Sequence, residues 1–383
     1  MFRIALSSAI LYARCEDPVR EMMDIQLQED MKNMAFTPNF DLVSGEFVYI
    51  PTKGGRQVHF YSTVTRHRDS MVFGMSEEPK YLIKYRHNCH YSHSIHPLVR
   101  DYHMMTRLSP LGVTVRALSL SPPVPFGEAR NHGQKGDFAM SDIDWFRCDR
   151  NPNADVRYMI YERPEGSVFD LILSKIYYDG DITFQSSMQM LRNLIAKLRI
   201  MHNQGIVHRN IHPGTIVRFE SSGELGFIDF SHSLLVSELS ERSEIVRPPV
   251  AYARCMESPF EIEGFRSSFR DDVFRAVFSV AFAMQGVTGG PNFIRFCKWM
   301  ESDPVQMIQW KRNDFFFQFP DGLIFEDLLP PTQTMEVKAE IRTHMERILT
   351  LVRSDGVKLN DLPPYDEIIA EIDVIQALLL QDS

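Results

Sequence analysis

Apolar residues recur with two different periods along this chain, and the change of period divides it. From about 41 to 120 the apolar runs are short and β-like: FVYI, QVHFYSTV, MVFGM and KYLIKY, with turn residues between them. PLVRDYHMMTRL at 97–108 is helical in pattern, with Pro97 suited to a first turn. Residues 118–157 are dense in Pro, Gly, Asp and Asn and lack a period, so they read as a long loop insertion. RYMIYERPEGSVFDLI then gives a strand, a turn and a helix start.

The second part is helical. Met188, Leu191, Leu194, Ile195, Leu198 and Met201 fall on one face of a helix over 184–202 that Gly205 stops. RDDVFRAVFSVAFAMQ at 270–285 is apolar all round behind two aspartates, the pattern of a core helix. The remainder is mostly helical, with Pro breaks at 329–331 and 363–364. A strand-rich part followed by a helix-rich part predicts an α+β protein in two lobes. The expected organisation is an N-terminal extension over 1–40, a first lobe over 41–160 that contains the 118–157 insertion, and a second lobe over 161–383. No internal repeat is visible.

Composition narrows the function. The chain has 383 residues, 44% of them hydrophobic, enough to bury one large core or two lobes. Its net charge of −9 argues against broad electrostatic binding to nucleic acid or anionic membrane. No apolar run is long enough to span a bilayer. The cysteines at 15, 89, 148, 255 and 297 form an odd, scattered set with no CxxC, which suits reduced thiols in a cytoplasmic protein. MFRIALSSAILYARC at 1–15 reads as a short buried strand or helix. The alternative is a signal peptide, which would make the protein secreted.

Chemistry concentrates in HRNIHPGTI at 208–216 and FIDFSHS at 227–233. Protein kinases carry H-R-D-x-x-x-x-N and then D-F-G after a short hairpin. His208, Arg209, Pro213, Gly214, Asp229 and Phe230 follow that order and spacing, with a Gly turn at 223 between them. On these residues the chain resembles the protein kinase superfamily over about 41–375, which implies a bilobal kinase-like fold with a β-rich N-lobe and a helical C-lobe. GSVFDLI, the FRDDVF aspartates and DLPPYDEI resemble the casein kinase one group. MLRNLIAKLRIMHNQGIVH with IDFSHSL resembles the rhoptry kinases and pseudokinases of apicomplexan parasites.

The resemblance assigns roles, and several positions depart from them. Asn210 stands at the catalytic Asp and His212 at the catalytic-loop Lys, so no catalytic set is intact. Thr215 replaces the metal-binding Asn and Ser231 the DFG Gly, leaving Asp229, with Thr215 as a weak partner, for a metal. Lys84 in YLIK matches the phosphate-binding lysine, with Asp101 as its best-placed helix partner. YERPEGSVFDLI at 161–172, which includes Glu162, resembles the hinge and following helix, with Tyr161 at the gatekeeper position. In the eroded Gly-rich segment TKGGRQVHFY only Gly55 keeps a pattern glycine, while Lys53 and Val58 replace the others. Asp272 matches the buried aspartate that braces the loop backbone. If a nucleotide binds, Lys84, Asp101, Gly55, Tyr161 and Glu162 are the residues to hold it. Lys84 and Asp229 favour ATP and Mg²⁺; Val58 and Thr215 oppose them.

An amide at 210 accepts hydrogen bonds but is not a base near neutral pH, and loss of a general base alone is worth about 10²–10⁴ in rate. The reading is therefore a pseudokinase that binds a protein partner, such as an active kinase or its substrate. The alternative is a divergent Ser/Thr kinase. Other constellations read structurally: the histidines and Cys89 within 87–96 as a loop rather than a zinc site, DFFFQF at 314–319 as buried packing, and PPVPF at 122–126 as a stiff turn.

Overall fold

The computed structural model describes residues 38–41, 46–49, 58–66, 70–75, 81–87, 96–120, 123–125, 155–167, 182–219, 222–238, 268–284, 325–353 and 361–381. These form a mixed helix and strand protein. The chain divides into two compact units, one of residues 1–96 and 118–162, the other of residues 97–117 and 163–383. Several sequence expectations lie outside the described residues: the leader reading of 1–15, Gly55, Cys89 and the inner histidines of 87–96, most of the 118–157 insertion, and the 314–319 aromatics.

The first unit is a sheet. Strands β1 (Pro38–Asp41), β2 (Glu46–Tyr49), β3 (Val58–Arg66), β4 (Ser70–Met75) and β5 (Tyr81–His87) pair in succession, each antiparallel to the last. After β6 (Ala117–Leu120) and β7 (Val124–Pro125), strand β8 (Asp155–Glu162) returns to pair with β5. The order is β1-β2-β3-β4-β5-β8-β6, with β7 also on β8. Val124 and Pro125 of the PPVPF segment therefore lie opposite Val156 and Asp155. The β3–β4 register shifts between Tyr61 and Thr65, the local irregularity expected of a bulge.

The second unit is built around helices. Helix α1 (Pro97–Leu108) carries Leu98, Asp101, Met104, Met105 and Leu108 on its buried side. Helix α2 (Phe184–Asn203) starts at Thr183, whose hydroxyl accepts the Ser186 N–H at 3.1 Å while the Ser186 hydroxyl accepts the Thr183 N–H at 2.8 Å. This reciprocal box satisfies N–H groups that the first helical turn leaves without intrahelical partners. The six apolar residues that periodicity places on one face of α2 are all inaccessible to solvent. The helix ends at Gly205, whose φ of +70° glycine adopts without a Cβ penalty.

Helix α3, residues 269–284, buries almost every side chain. Its two leading aspartates split their duties. The Asp271 carboxylate accepts the Ser268 N–H at 2.5 Å and its hydroxyl at 2.7 Å, capping its own helix. Asp272 reaches outward, as described below. Helices α4 (Met335–Val352) and α5 (Tyr365–Leu380) pack on each other, and α5 packs on α2. Ile341, Met345, Ile348, Ile368, Ile372 and Ile375 are fully buried.

Short strands set the loops of this unit. Antiparallel β10 (Ile206–Val207) and β13 (Leu234–Leu235) fix the two ends of a chain segment that contains both motifs. Between them, β11 (Ile216–Arg218) and β12 (Leu225–Phe227) form a hairpin, and β9 (Gly166–Ser167) adds to β11.

Candidate functional site

The hairpin presses the 208–215 loop against the 228–233 turn. Two non-glycine residues among those described have positive φ: Arg209 at +67° and Asp229 at +66°. The left-handed region costs such residues about 1–2 kcal/mol. Backbone strain of this kind persists only where the surroundings over-determine it, and it concentrates at functional sites.

Asp272 supplies that determination for the loop. Its Oδ2 accepts the His208 N–H at 2.6 Å, its Oδ1 accepts the Arg209 N–H at 2.8 Å, and His202 Nε2 lies 3.1 Å from Oδ2. The other His202 nitrogen, Nδ1, bonds the Tyr365 hydroxyl at the start of α5. Asp272 is fully buried. Burial alone would push its carboxyl up, but the His202 hydrogen bond, the nearby histidines and the Arg209 N–H outweigh it and hold the group below the usual carboxylate range. Burial and the Asp272 charge push the Tyr365 phenol well up, so it stays a protonated donor.

His208 is buried between Phe227 and Phe230, with ring centroids 5.7 and 4.6 Å away. Its Nδ1 accepts the Asn210 N–H at 3.2 Å, so the tautomer assigned by its partners carries the proton on Nε2, which faces the Ile228 carbonyl at 3.2 Å. Desolvation lowers its pKa to about 4, against the smaller pull of Asp272 and Asp229 and with the help of Arg275. At neutral pH it is an uncharged bridge between the two segments.

Asn210 is buried and its side chain meets Asp229: Nδ2 donates to Asp229 Oδ2 at 3.0 Å. A carboxylate only accepts, so the amide nitrogen is the end that fits. The Ser231 hydroxyl donates to Asp229 Oδ1 at 2.6 Å. The Thr215 hydroxyl donates to the Asn210 carbonyl at 2.8 Å, has the His212 carbonyl 3.1 Å away, and accepts the His212 N–H at 3.0 Å. His212 turns its own ring back on the loop, where Nδ1 accepts the Gly214 N–H at 3.1 Å.

Helix α1 grips the other side of the turn. Asp101, fully buried, accepts the Phe230 N–H through Oδ1 at 2.8 Å. Arg100 Nη1 donates to the Ser233 carbonyl at 3.0 Å. Neither contact was foreseeable from spacing, since Arg100 and Asp101 stand 133 and 129 positions from their partners. The Ser231 contact spans only two residues, so the Asp-x-Ser pattern is a local signal that could have found it.

The remaining expected site residues lie in the first unit. Lys84 is buried in the middle of β5, opposite Val72 on β4 and Met159 on β8. Tyr161, also buried, faces Leu82, and Glu162 faces Tyr81 at the end of β8. Lys84 and Asp101 thus belong to different units.

The Mg²⁺ that the kinase resemblance implies takes oxygen lone pairs in near-octahedral array. The described residues do not fit it. Both Asp229 oxygens face donors, from Asn210 and Ser231, and the Thr215 hydroxyl is engaged with Asn210 and His212. Among the described residues no three His, Cys, Asp or Glu side chains group so as to hold a metal. No described helix is long and apolar enough to cross a membrane. No protein-family model matches the chain, and neither does any curated protein.

Proposed function

We propose that this protein is a pseudokinase: a bilobal, protein-kinase-like domain without phosphotransfer machinery that acts as a protein-binding scaffold or allosteric regulator. One observation carries the reading. At the position where a kinase holds its general base, Asn210 offers an amide nitrogen, and that nitrogen is spent on Asp229. A group that donates to the neighbouring carboxylate does not remove a proton from a substrate hydroxyl.

Further support comes from what surrounds Asn210. The braced loop, the left-handed Arg209 and Asp229, and the β10–β13 and β11–β12 pairs follow the order of the kinase-like motifs. The strand-rich and helix-rich units accord with two lobes. His212, at the position of the kinase loop lysine, turns to the Gly214 N–H rather than supplying a fixed cation. The frame is retained while the reacting groups are replaced, a division suited to a surface that recognises another protein.

The test is phosphotransfer. Purified full-length chain, given radiolabelled ATP with Mg²⁺ or Mn²⁺ and general protein substrates, is expected to transfer no more label than the Lys84→Ala variant. Transfer by the wild type that disappears in Lys84→Ala overturns the proposal in favour of a divergent Ser/Thr kinase.

A further inference from the structure

We infer that the 229–233 turn is locked without a divalent cation, with the Asn210 amide and the Ser231 hydroxyl standing in for the cation at Asp229. The inference rests on the kinase-like reading of 208–233, and goes beyond it by giving the substituted residues a positive task.

A carboxylate offers only acceptor oxygens, so the partners that meet Asp229 are donors or cations. In a metal site those partners are cations. Here Oδ2 takes the Asn210 amide and Oδ1 the Ser231 hydroxyl. The backbone that carries this amide is itself held. Asn210 is fixed on both sides of its Cα, by its N–H on His208 Nδ1 and by its carbonyl under the Thr215 hydroxyl. Three of the residues that depart from the kinase pattern therefore form one connected hydrogen-bond network: Thr215 holds Asn210, and Asn210 and Ser231 hold Asp229.

The turn is closed from its other end as well. Phe230 N–H rests on Asp101, and the Phe230 carbonyl accepts both the Ser233 N–H at 2.9 Å and the Ser233 hydroxyl at 2.6 Å. The Ser233 carbonyl is held by Arg100. These intramolecular contacts hold the turn at Phe230 and Ser233 as well as at Asp229. An aspartate at 210 would reverse the situation. It would set a second carboxylate beside Asp229, a pair that repels unless a proton or a cation lies between.

The experiment uses the full-length protein and two probes. Thermal melting is run in EDTA and in excess MgCl₂, and Mn²⁺ uptake is read from the loss of the free-ion EPR signal. Wild type is expected to melt at the same temperature in both buffers and to leave the Mn²⁺ signal undiminished. Asn210→Asp is expected to melt several degrees lower in EDTA and to regain most of that loss in MgCl₂, with uptake of Mn²⁺. Ser231→Gly is expected to melt lower in EDTA by a smaller margin. Wild-type uptake of one equivalent of Mn²⁺ that is lost in Asp229→Asn overturns the inference, as does an Asn210→Asp variant that melts like wild type in EDTA. Should Asn210→Asp not fold, wild-type Mn²⁺ uptake and the Ser231→Gly melt decide the matter. The two readings fail separately. Lys84-dependent phosphotransfer sinks the pseudokinase proposal, whereas Mn²⁺ uptake through Asp229 without phosphotransfer sinks only the lock.

Discussion

Asp272 and Asp229 are both carboxylates beside the 208–215 loop, and they are held by different kinds of partner. Asp272 is fully buried and accepts two backbone N–H groups, from His208 and Arg209, together with His202. Asp229 is half-buried and accepts from two side chains, Asn210 and Ser231. Backbone donors do not depend on which residue stands at 208 or 209, so the brace survives substitution there. Side-chain donors are specific to the residue present, so the contacts of Asp229 depend on Asn210 and Ser231 themselves. The contrast separates a brace made through the backbone from contacts that need these particular side chains.

The largest break in that comparison is Asp272→Ala. It strands a buried N–H, a part-buried N–H and one buried His202 nitrogen, so a loss on the order of 3–5 kcal/mol is expected. Urea unfolding of the wild type and the variant measures it. The matching change at the other carboxylate, Asp229→Ala, removes contacts nearer solvent and is expected to lose less. Equal losses would erase the distinction between brace and lock.

His208 joins the two regions and makes the second prediction, which concerns pH. Its folded pKa of about 4 lies below the ordinary value of 6.5, so the unfolded chain binds a proton that the fold excludes. The unfolded state then binds more protons between those values, and stability rises with pH across that window. The contribution is complete above about 6.5 and is lost progressively as pH falls toward 4, amounting to about 3 kcal/mol. Asp272 acts lower still, because a depressed carboxyl loses its contribution only as pH falls through its folded value. Denaturant melts from neutral pH to pH 4 for the wild type and His208→Gln separate the two. The wild type is expected to lose more stability than the variant over that window, and parallel curves would refute the neutral-bridge assignment.

What the sequence disclosed and what it hid follow the same divide. The buried face of α2 was legible because helix periodicity is local, and so was Gly205, whose positive φ a helix stop requires. Asp272 was legible through the kinase-like order of motifs. One oxygen of Asp101 is on the Phe230 N–H, a contact between a helix and a turn that no local pattern announces. The kinase resemblance reads Asn210 and Thr215 as replaced groups. The Asn210 bond to Asp229 depends on how the hairpin presses two loops together, which tertiary packing decides, whereas the Thr215–Asn210 contact lies within one loop.

The smallest effect sharpens the comparison at its far edge, where the brace meets α5. The Tyr365 hydroxyl bonds His202 Nδ1, and His202 Nε2 bonds Asp272, so Tyr365 touches the loop only through two intermediaries. Tyr365→Phe keeps the aromatic packing on His202 and removes one buried hydrogen bond, for which a loss of about 1 kcal/mol is expected. If the three side chains act as one relay, the loss is not additive with Asp272→Ala, because removing the carboxylate already releases the histidine. A double-mutant cycle therefore distinguishes two arrangements. A coupling of at least about 0.5 kcal/mol between Tyr365 and Asp272 places the start of α5 within the brace. Simple additivity makes the tyrosine a local anchor of α5, and leaves the loop dependent on α3 and α2 alone.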